Sequence, residues 1–209
     1  MIILALDTCL NACSAAVLDG SRVLAWRSEV MARGHQERLA PLVREVMAEA
    51  HLPFERLQRV GATVGPGSFT GLRVGVAFAK GLASALRIPA VGVGVLEALA
   101  EGCVGLGAAI VDARRDQVYL QVFDGVAPLM APEVLPVAVA VARLAHLATG
   151  RSLTLMGSGA PLFSDAFPTG TVCVLEGCDP RAVARLAAAR PAAPIRPLYL
   201  RAPDAKLPA

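Results

Sequence analysis

Continuous apolar runs and helically spaced apolar residues alternate along the chain. The run Ile2–Leu6 contains no polar residue, which is the pattern of a strand buried on both faces. The dipeptide Asp19-Gly20, between two apolar segments, favours a hairpin turn. Apolar residues at the spacing i, i+3, i+4 and i+7 predict a helix over His35–Ala50, although Pro41 favours a later start or a kink. The N-terminal part of the chain therefore predicts a strand, a hairpin and an amphipathic helix.

The segment Gly65–Leu86 has the composition of a turn followed by a helix. Pro66 and Gly67 suit the two central positions of a type II turn, in which Gly67 would adopt a positive φ. Ser68 then occupies the N-cap position of a helix predicted over Phe69–Leu86. Asp179, followed by Pro180, predicts the start of a later helix in the same way. A glycine-rich turn before a helix can also bind phosphate, but the Gly-Lys-Ser/Thr ending of a Walker A loop is absent. Two interpretations stay open, a capped turn before a tightly packed helix and a phosphate-binding loop.

The helix predicted over Phe69–Leu86 has two distinct stripes. One is basic and should be exposed to solvent; its members are Arg73, Lys80 and Arg87. The other consists of small residues that recur every four positions, namely Gly71, Gly75, Ala79 and Ala83. Glycine inside a helix costs about 1 kcal/mol relative to alanine. The small stripe therefore predicts the close approach of another backbone.

The second half of the chain repeats features of the first at a constant offset of 105 residues. Asp7 corresponds to Asp112, and the Asp-Gly turn at Asp19 corresponds to the one at Asp124. Internal duplication explains this better than chance agreement between common residues. Each half mixes a hairpin with strand–helix units, which is typical of an α/β fold. We expect two similar lobes, residues 1–103 and 104–209, the second ending in an extended, proline-rich tail that starts at Pro191.

Composition excludes several classes of protein. Hydrophobic residues make up 55% of the chain and charged residues 18%, which suits a large core and argues against disorder. No uncharged run is long enough to span a bilayer, and no basic segment precedes the first apolar run, so we expect a soluble, cytoplasmic protein without membrane contacts. Five cysteines without zinc-type spacing predict reduced thiols, and three separated histidines predict no metal site. A net charge of +3 is too small to indicate nucleic-acid binding by itself.

Weak candidates for a nucleotide site follow two of the predicted strands. Asp7 and Thr8 follow the first strand, and Gly157 and Gly159 follow a strand in the second half. An aspartate in this position can organise metal and phosphate, but it is also an ordinary turn former. The glycines suit either the approach of a nucleotide or a strand-to-helix turn. No serine, histidine and acid form a recognisable catalytic triad, so no catalytic residue is predicted.

Several motifs together carry a family resemblance. They are LALDT at the start, GPGSFTGLRVG, AKGLA, VLEALA, VDARRDQVY and the closing PLYLR. With these motifs the chain resembles the TsaB (YeaZ) family. The resemblance implies two ribonuclease-H-like lobes of the actin-like ATPase superfamily. It also implies a role in forming the threonylcarbamoyl modification of the tRNA adenosine next to the anticodon.

The resemblance further implies that the chain is an accessory subunit and not an enzyme. Its partners would be the catalytic paralogue TsaD, the ATPase TsaE and, through the complex, tRNA; a homodimer is also possible. In TsaD a segment after the equivalent helix contains two metal-binding histidines, and this chain has Val95 and Leu99 at those positions. We therefore expect no tightly bound metal and no cofactor of its own, with nucleotide only on the partners. The alternative is a free-standing ATP- or metal-dependent hydrolase that uses the interlobe cleft near Asp7.

Two helices, about Glu37–Ala50 and Phe69–Leu86, are predicted to form the face that docks the paralogue. Resemblance implies that family members pair through these helices. The candidate contact residues are Leu39, Leu42, Val43, Val46, Gly71, Leu72, Gly75, Val76 and Ala79. On this view a Gly75→Leu variant stays folded and binds the paralogue more weakly. The alternative is that both stripes cover the lobe's own sheet.

Overall fold

The N-terminal apolar run forms the central strand of the first of two sheets. The structure is a computed structural model that describes residues 1–201. The strands of the first sheet are β1 (Ile2–Asp7), β2 (Ala12–Asp19), β3 (Arg22–Val30), β4 (Arg59–Thr63) and β5 (Ala90–Val93). Their spatial order is β3-β2-β1-β4-β5. The hairpin β2–β3 and its pairing with β1 are antiparallel, whereas β1, β4 and β5 are parallel.

In the second sheet, as in the first, the central strand has an antiparallel neighbour on one side and a parallel neighbour on the other. Its strands are β6 (Leu106–Asp112), β7 (Gln117–Asp124), β8 (Ala127–Pro128), β9 (Glu133–Pro136), β10 (Leu153–Met156) and β11 (Thr171–Cys173). β6 pairs antiparallel with β7 and parallel with β10, and β10 pairs parallel with β11. Both β8 and β9 pair with β7. Asp7 and Asp112 therefore end the two central strands, as the offset in the sequence predicted.

Within the described residues, five α-helices connect and cover the sheets. They are α1 (His35–Glu49), α2 (Phe69–Leu86), α3 (Val95–Ala100), α4 (Val137–Leu147) and α5 (Pro180–Ala189). The predicted N-caps of α2 and α5 are confirmed, since Ser68 accepts a hydrogen bond from the Gly71 amide and Asp179 accepts one from the Arg181 amide. None of the helices within residues 1–201 combines the length and apolar character needed to cross a membrane.

Helix α1 starts at His35, so the prediction that Pro41 delays its start is wrong. A proline at this position removes one backbone hydrogen bond from the helix. Burial of one whole side of α1 offsets this loss, because Leu39, Leu42, Val43, Val46 and Met47 are each at most 1% exposed.

The C-terminal helix returns to the first sheet. A Cβ at Gly61 in β4 would lie 2.7 Å from the Cβ of Ala187, so this glycine permits close contact between β4 and α5. Buried residues of α5, together with Cys178 and Ile195, belong to the core of the first sheet. The predicted boundary between residues 103 and 104 places α5 in the second lobe, whereas α5 packs on the sheet of the first lobe.

The segment after α5 has no helix or strand from Pro191 to Leu200, in agreement with the predicted extended tail. It is nevertheless tied to the first lobe, because the Leu198 amide donates a hydrogen bond to the Val64 carbonyl at 2.7 Å. Ile195 is 4% exposed. The rest of the predicted tail, to Pro208, lies outside the described residues.

Candidate functional site

A cavity of about 830 Å³ opens between the carboxyl ends of the two central strands, β1 and β6. We call it the interlobe cleft. Its walls come from the loop after β1, the turn before α2, the loop after β6 and residues 198–201. The side chains and backbone that line it include Cys9, Asn11, Ser68, Phe69, Leu72, Arg73, Val111, Asp112, Arg114, Tyr119, Ser158, Glu176, Leu198, Tyr199, Leu200 and Arg201.

The turn before α2 is packed against the loop after β1. The positive φ, +98°, belongs to Gly65 and not to Gly67, so the type II turn predicted at Pro66-Gly67 is wrong. A Cβ at Gly67 would collide with the Cys9 carbonyl. The Ser68 amide donates to that same carbonyl at 2.7 Å. These contacts favour the packed turn over the phosphate-binding loop.

Asp7 is fully buried, and both oxygens of its carboxylate accept hydrogen bonds from the protein. Oδ1 accepts from the Cys9 amide at 2.9 Å and from the Thr63 hydroxyl at 2.6 Å, and Oδ2 accepts from the Cys178 amide at 2.9 Å. Burial raises the pKa of Asp7, and these hydrogen bonds oppose that shift. Asp7 does not line the interlobe cleft. Its role in this geometry is to join β1, β4 and the segment that leads into α5.

Thr8, the other candidate at this strand end, is also committed to the fold. It is completely buried, and its hydroxyl donates to the Gly71 carbonyl at 2.7 Å. A Cβ at Gly75 would lie 2.5 Å from the Thr8 hydroxyl oxygen and 3.3 Å from Leu6 Cδ1. A Cβ at Gly71 would collide with the Thr8 carbonyl. The backbone that approaches Gly71 in the small stripe of α2 is therefore that of Thr8, directly after β1 of the same chain.

The residues that the sequence predicted to contact a partner are buried within the fold of this chain. Each is buried, and the largest exposure among those with a side chain is 5%, at Val76; the set is Leu39, Leu42, Val43, Val46, Gly71, Leu72, Gly75, Val76 and Ala79. They cover the lobe's own sheet, which was the alternative that the sequence left open. Any partner that meets α1 and α2 has to contact their outward sides. Because Gly75 packs on β1, the expectation that a Gly75→Leu variant stays folded does not hold.

The candidates in the second lobe pack against β6. Gly157 has a φ of +112°, and a Cβ there would collide with the Ile110 carbonyl. A Cβ at Gly159 would lie 2.8 Å from Ile110 Cγ2. Between them, the Ser158 hydroxyl accepts a hydrogen bond from the Asp112 amide at 3.2 Å. The structure thus supports a strand-to-helix turn for these glycines, which lead from β10 into a short 3₁₀ helix, Ala160–Phe163. Only Ser158 of this group faces the cleft.

The segment of this chain that corresponds to the metal-binding segment of TsaD is part of the core. Val95 is 0% exposed and Leu99 is 5% exposed. Glu97, between them, accepts hydrogen bonds from the Gly94 amide at 3.0 Å and from the Arg190 guanidinium at 2.8 Å. Its carboxylate therefore fixes the start of α3 and the end of α5. Within residues 1–201, no three His, Cys, Asp or Glu side chains are grouped as a metal site would require.

All five cysteines are free thiols. Burial, followed by the nearby Asp7 carboxylate, raises the pKa of Cys9 and of Cys178. The same two causes raise the pKa of Cys13 to about 11. These three thiols are protonated at neutral pH, so none of them is an activated nucleophile.

Sequence reasoning missed the aromatic pair that stands at the opening of the cleft. Phe69 and Tyr199 are both 47% exposed, and their ring centroids are 5.6 Å apart. The guanidinium of Arg73 lies 3.7 Å from the centroid of the Phe69 ring. The sequence placed Phe69 and Arg73 on α2, but it gave no indication that Tyr199, more than a hundred residues later, joins them.

Comparisons with known proteins agree with the fold and the motifs. Residues 28–169 match the family model described as TsaD, tRNA N6-adenosine threonylcarbamoyltransferase. The chain is 37% identical over 207 residues to an uncharacterized protein of Mycobacterium tuberculosis, covering 98% of this chain and 93% of that protein. It is 35% identical over 124 residues to the Escherichia coli protein named tRNA threonylcarbamoyladenosine biosynthesis protein TsaB. That match covers 57% of this chain and 53% of the relative.

Solved structures give the same result at the level of the fold. A protein from Pseudomonas aeruginosa, described as similar to peptidase YeaZ, superimposes with a TM-score of 0.81 at 31% identity, covering 96% of this chain and 99% of that one. Component A of the (R)-2-hydroxyglutaryl-CoA dehydratase of Acidaminococcus fermentans gives a TM-score of 0.55 at 11% identity, over 90% of this chain and 97% of that one, which shows the fold alone. The predicted fold class, an α/β chain of the actin-like ATPase type with two sheets, is confirmed.

Proposed function

Because the chain belongs to the TsaB (YeaZ) family, we propose that it is a non-catalytic subunit in the biosynthesis of threonylcarbamoyladenosine in tRNA. In this role it binds and activates the catalytic paralogue TsaD, and the ATPase TsaE joins the two. Relatives that carry the name TsaB are named for this biosynthesis. The proposal places the protein in the cytoplasm, where tRNA is modified, and places any nucleotide on the partners.

The observation that carries the proposal is the chemistry at α3. The chain matches the family model of the transferase over this region, yet the positions where the resemblance implies metal-binding histidines are the buried aliphatic residues Val95 and Leu99. Glu97 between them is occupied by the Gly94 amide and by Arg190. Aliphatic side chains cannot ligate a metal ion. In this proposal α3 therefore contributes to the packing of the fold and not to metal binding.

The alternative of a free-standing hydrolase has less support. It relied on Asp7 as the acidic residue of the interlobe cleft. Both carboxylate oxygens of Asp7 already accept hydrogen bonds from the protein, and the side chain lies outside the cleft wall.

The outward side of α2 is the docking face that the structure supports best. Gly71 and Gly75 are explained by β1, but a Cβ at Gly81 would have no described atom within 4 Å. Gly81 is exposed, as are Ala77 and Ala85 one turn to either side. Since glycine in a helix costs about 1 kcal/mol, a partner helix that packs closely on Gly81 is the remaining physical reason for it. A second copy of the chain could use the same face in a homodimer.

The test is to mix the chain with its paralogue, measure stoichiometry by light scattering and affinity by titration, and assay modified tRNA with the ATPase added. Gly81→Leu introduces a side chain into open space, so the variant should fold normally. Overpacking at a contact costs about 1–3 kcal/mol, so it should weaken the complex by about tenfold or more and lower the yield of modified tRNA. Ala142→Leu, at an exposed position of α4, is the matched control and should behave as the wild type.

Two results would contradict the proposal. One is a purified chain that forms threonylcarbamoyladenosine without the paralogue. The other is a wild-type chain that neither binds the paralogue nor increases its activity. If only Gly81→Leu is without effect, the accessory role stands and the docking face lies elsewhere.

A further inference from the structure

Aromatic rings and guanidinium groups from three separate segments meet at the opening of the interlobe cleft. We call them the cleft-mouth cluster: Phe69 and Arg73 from the start of α2, Arg114 from the loop after β6, and Tyr199 and Arg201 from the C-terminal segment. None of them is required to cover a core. Their association is therefore a property of the surface that needs its own explanation.

The two aromatic rings present a large apolar surface to solvent. Phe69 and Tyr199 each keep 47% of their surface exposed although they lie side by side, with an angle of 39° between the rings. Arg73 fixes the pair, because its guanidinium stacks on Phe69 and its Nε donates to the Tyr199 hydroxyl at 3.3 Å. Exposed aromatic rings held next to arginine are the usual platform for stacking the bases of single-stranded nucleic acid.

The loop after β6 places arginine where the backbone disfavours it. Arg114, Arg115 and Asp116 have φ values of +63°, +54° and +56°. Each left-handed residue of this kind costs about 1–2 kcal/mol relative to the right-handed conformation, and glycine or asparagine would relieve the cost. Non-glycine residues held in such conformations cluster at functional sites. Among the described residues, the Arg114 side chain is exposed and has no carboxylate partner, so it is available to an anion.

Arg201 connects the C-terminal segment of the cluster to the loop after β6. Its guanidinium donates to the Ala113 carbonyl at 2.8 Å and to the side chain of Gln117. Ala113 and Gln117 are the two residues that bracket the left-handed loop, and the Ala113 amide donates to the Gln117 carbonyl at 2.9 Å. The segment that carries Tyr199 is thereby anchored to the loop that carries Arg114.

The charges limit what the cluster can bind. Three guanidinium groups line the cleft together with two carboxylates, those of Asp112 and Glu176. Asp112 accepts from the Arg114 amide at 2.7 Å and Glu176 accepts from Asn11 at 3.1 Å. Asp116, which is exposed in the loop, adds a further negative charge. Such a surface suits a few phosphates next to stacked bases and is poorly suited to the dense phosphate rows of a duplex.

We propose that the cleft-mouth cluster binds unpaired nucleotides of an RNA, with bases on the exposed surfaces of Phe69 and Tyr199 and phosphates on Arg73 and Arg114. The inference rests on the proposed function, which brings the chain to tRNA, and it names the part of this chain that touches the RNA. The interlobe cleft behind the cluster gives space for a base that leaves the stack.

The probe is a fluorescent RNA hairpin with a single-stranded loop, compared with a blunt RNA duplex of the same composition. Each is titrated with the full chain alone and with the chain mixed with its paralogue, over a range of salt concentrations. The variants are Phe69→Leu, Tyr199→Leu, Arg73→Gln and Arg114→Gln. The chain offers a matched control in Trp26, which is 43% exposed and has the guanidinium of Arg181 at 4.2 Å from its ring centroid, away from the cleft. Arg22→Gln, at the exposed start of β3, is the charge control.

The hairpin should bind more tightly than the duplex. Loss of one stacking ring should weaken hairpin binding by about tenfold. Arg114→Gln should reduce the slope of log affinity against log salt by about 0.7 if it removes one phosphate contact. Trp26→Leu and Arg22→Gln should bind as the wild type does.

Three results would overturn the inference. The first is that the hairpin binds neither to the chain alone nor to the chain mixed with its paralogue. The second is that the Phe69→Leu and Tyr199→Leu variants bind the hairpin as tightly as Trp26→Leu does. The third is that the ring variants lower affinity for the paralogue and leave RNA binding unchanged, which would make the cluster a protein contact. If the paralogue does not bind at all, the proposed function fails, and the titration of the chain alone still decides the present inference.

Discussion

Two alanine substitutions on α2 should have opposite effects on stability. Gly75 and Gly81 lie on the same helix, and both replacements add one methyl group. The methyl group at position 75 would lie 2.5 Å from the Thr8 hydroxyl oxygen and 3.3 Å from Leu6 Cδ1, whereas the one at position 81 meets no described atom within 4 Å. The pair therefore compares the two sides of one helix with a single chemical change.

The magnitudes follow from these contacts. Both variants gain about 1 kcal/mol of helix propensity. Gly75→Ala also suffers overpacking of about 1–3 kcal/mol. Thr8 is 0% exposed and donates a hydrogen bond to the Gly71 carbonyl at 2.7 Å, so it cannot move aside without loss of that bond, at about 1 kcal/mol. Gly81→Ala should thus be more stable than the wild type by up to about 1 kcal/mol, and Gly75→Ala should be less stable than Gly81→Ala by about 2–4 kcal/mol.

Urea unfolding followed by circular dichroism measures both free energies, and equal m values would show that only stability has changed. For a chain of this size the expected gap corresponds to a difference in Tm of roughly 4–16 °C. A Gly75→Ala variant at least as stable as Gly81→Ala would show that the small stripe does not pack on β1.

Two further predictions concern α5. Arg59 donates to the carbonyls of Ala187, Ala188 and Arg190 at 2.7, 3.3 and 2.7 Å. Arg59→Met should therefore lower the free energy of unfolding by about 2 kcal/mol. The control Arg56→Met, at an exposed position, should change it little in the same urea titration. Burial acts to raise the pKa of Asp179, but hydrogen bonds from Arg181 outweigh it and lower the pKa. A lowered folded-state pKa stabilises the fold above the unfolded-state value and loses this contribution as the pH falls through the folded-state value. Asp179→Ala should therefore cost about 1 kcal/mol at neutral pH and less below about pH 4, and an equal cost at both pH values, measured by unfolding, would contradict the assignment.

The elements of this protein are determined locally. Apolar spacing predicts α1 and α2 because a helix repeats every 3.6 residues regardless of what it packs on. Ser68 and Asp179 predict the helix starts because an N-cap bonds to amides only two or three residues away. The repeated Asp and Asp-Gly positions predict the matching sheets, since each marks the end of a strand or a tight turn.

Contacts between distant segments are decided only by the tertiary structure. The spacing of Gly71 and Gly75 shows that one side of α2 is smooth, but whether β1 or a partner covers that side depends on the packing of the whole lobe. The hydrogen bond between Asp7 and Cys178 joins residues 171 positions apart, and it determines that a conspicuous aspartate serves the fold and not the cleft. The cleft-mouth cluster forms for the same reason: Phe69, Arg114 and Tyr199 carry no local pattern in common, and only the return of the chain after α5 brings their side chains to one surface.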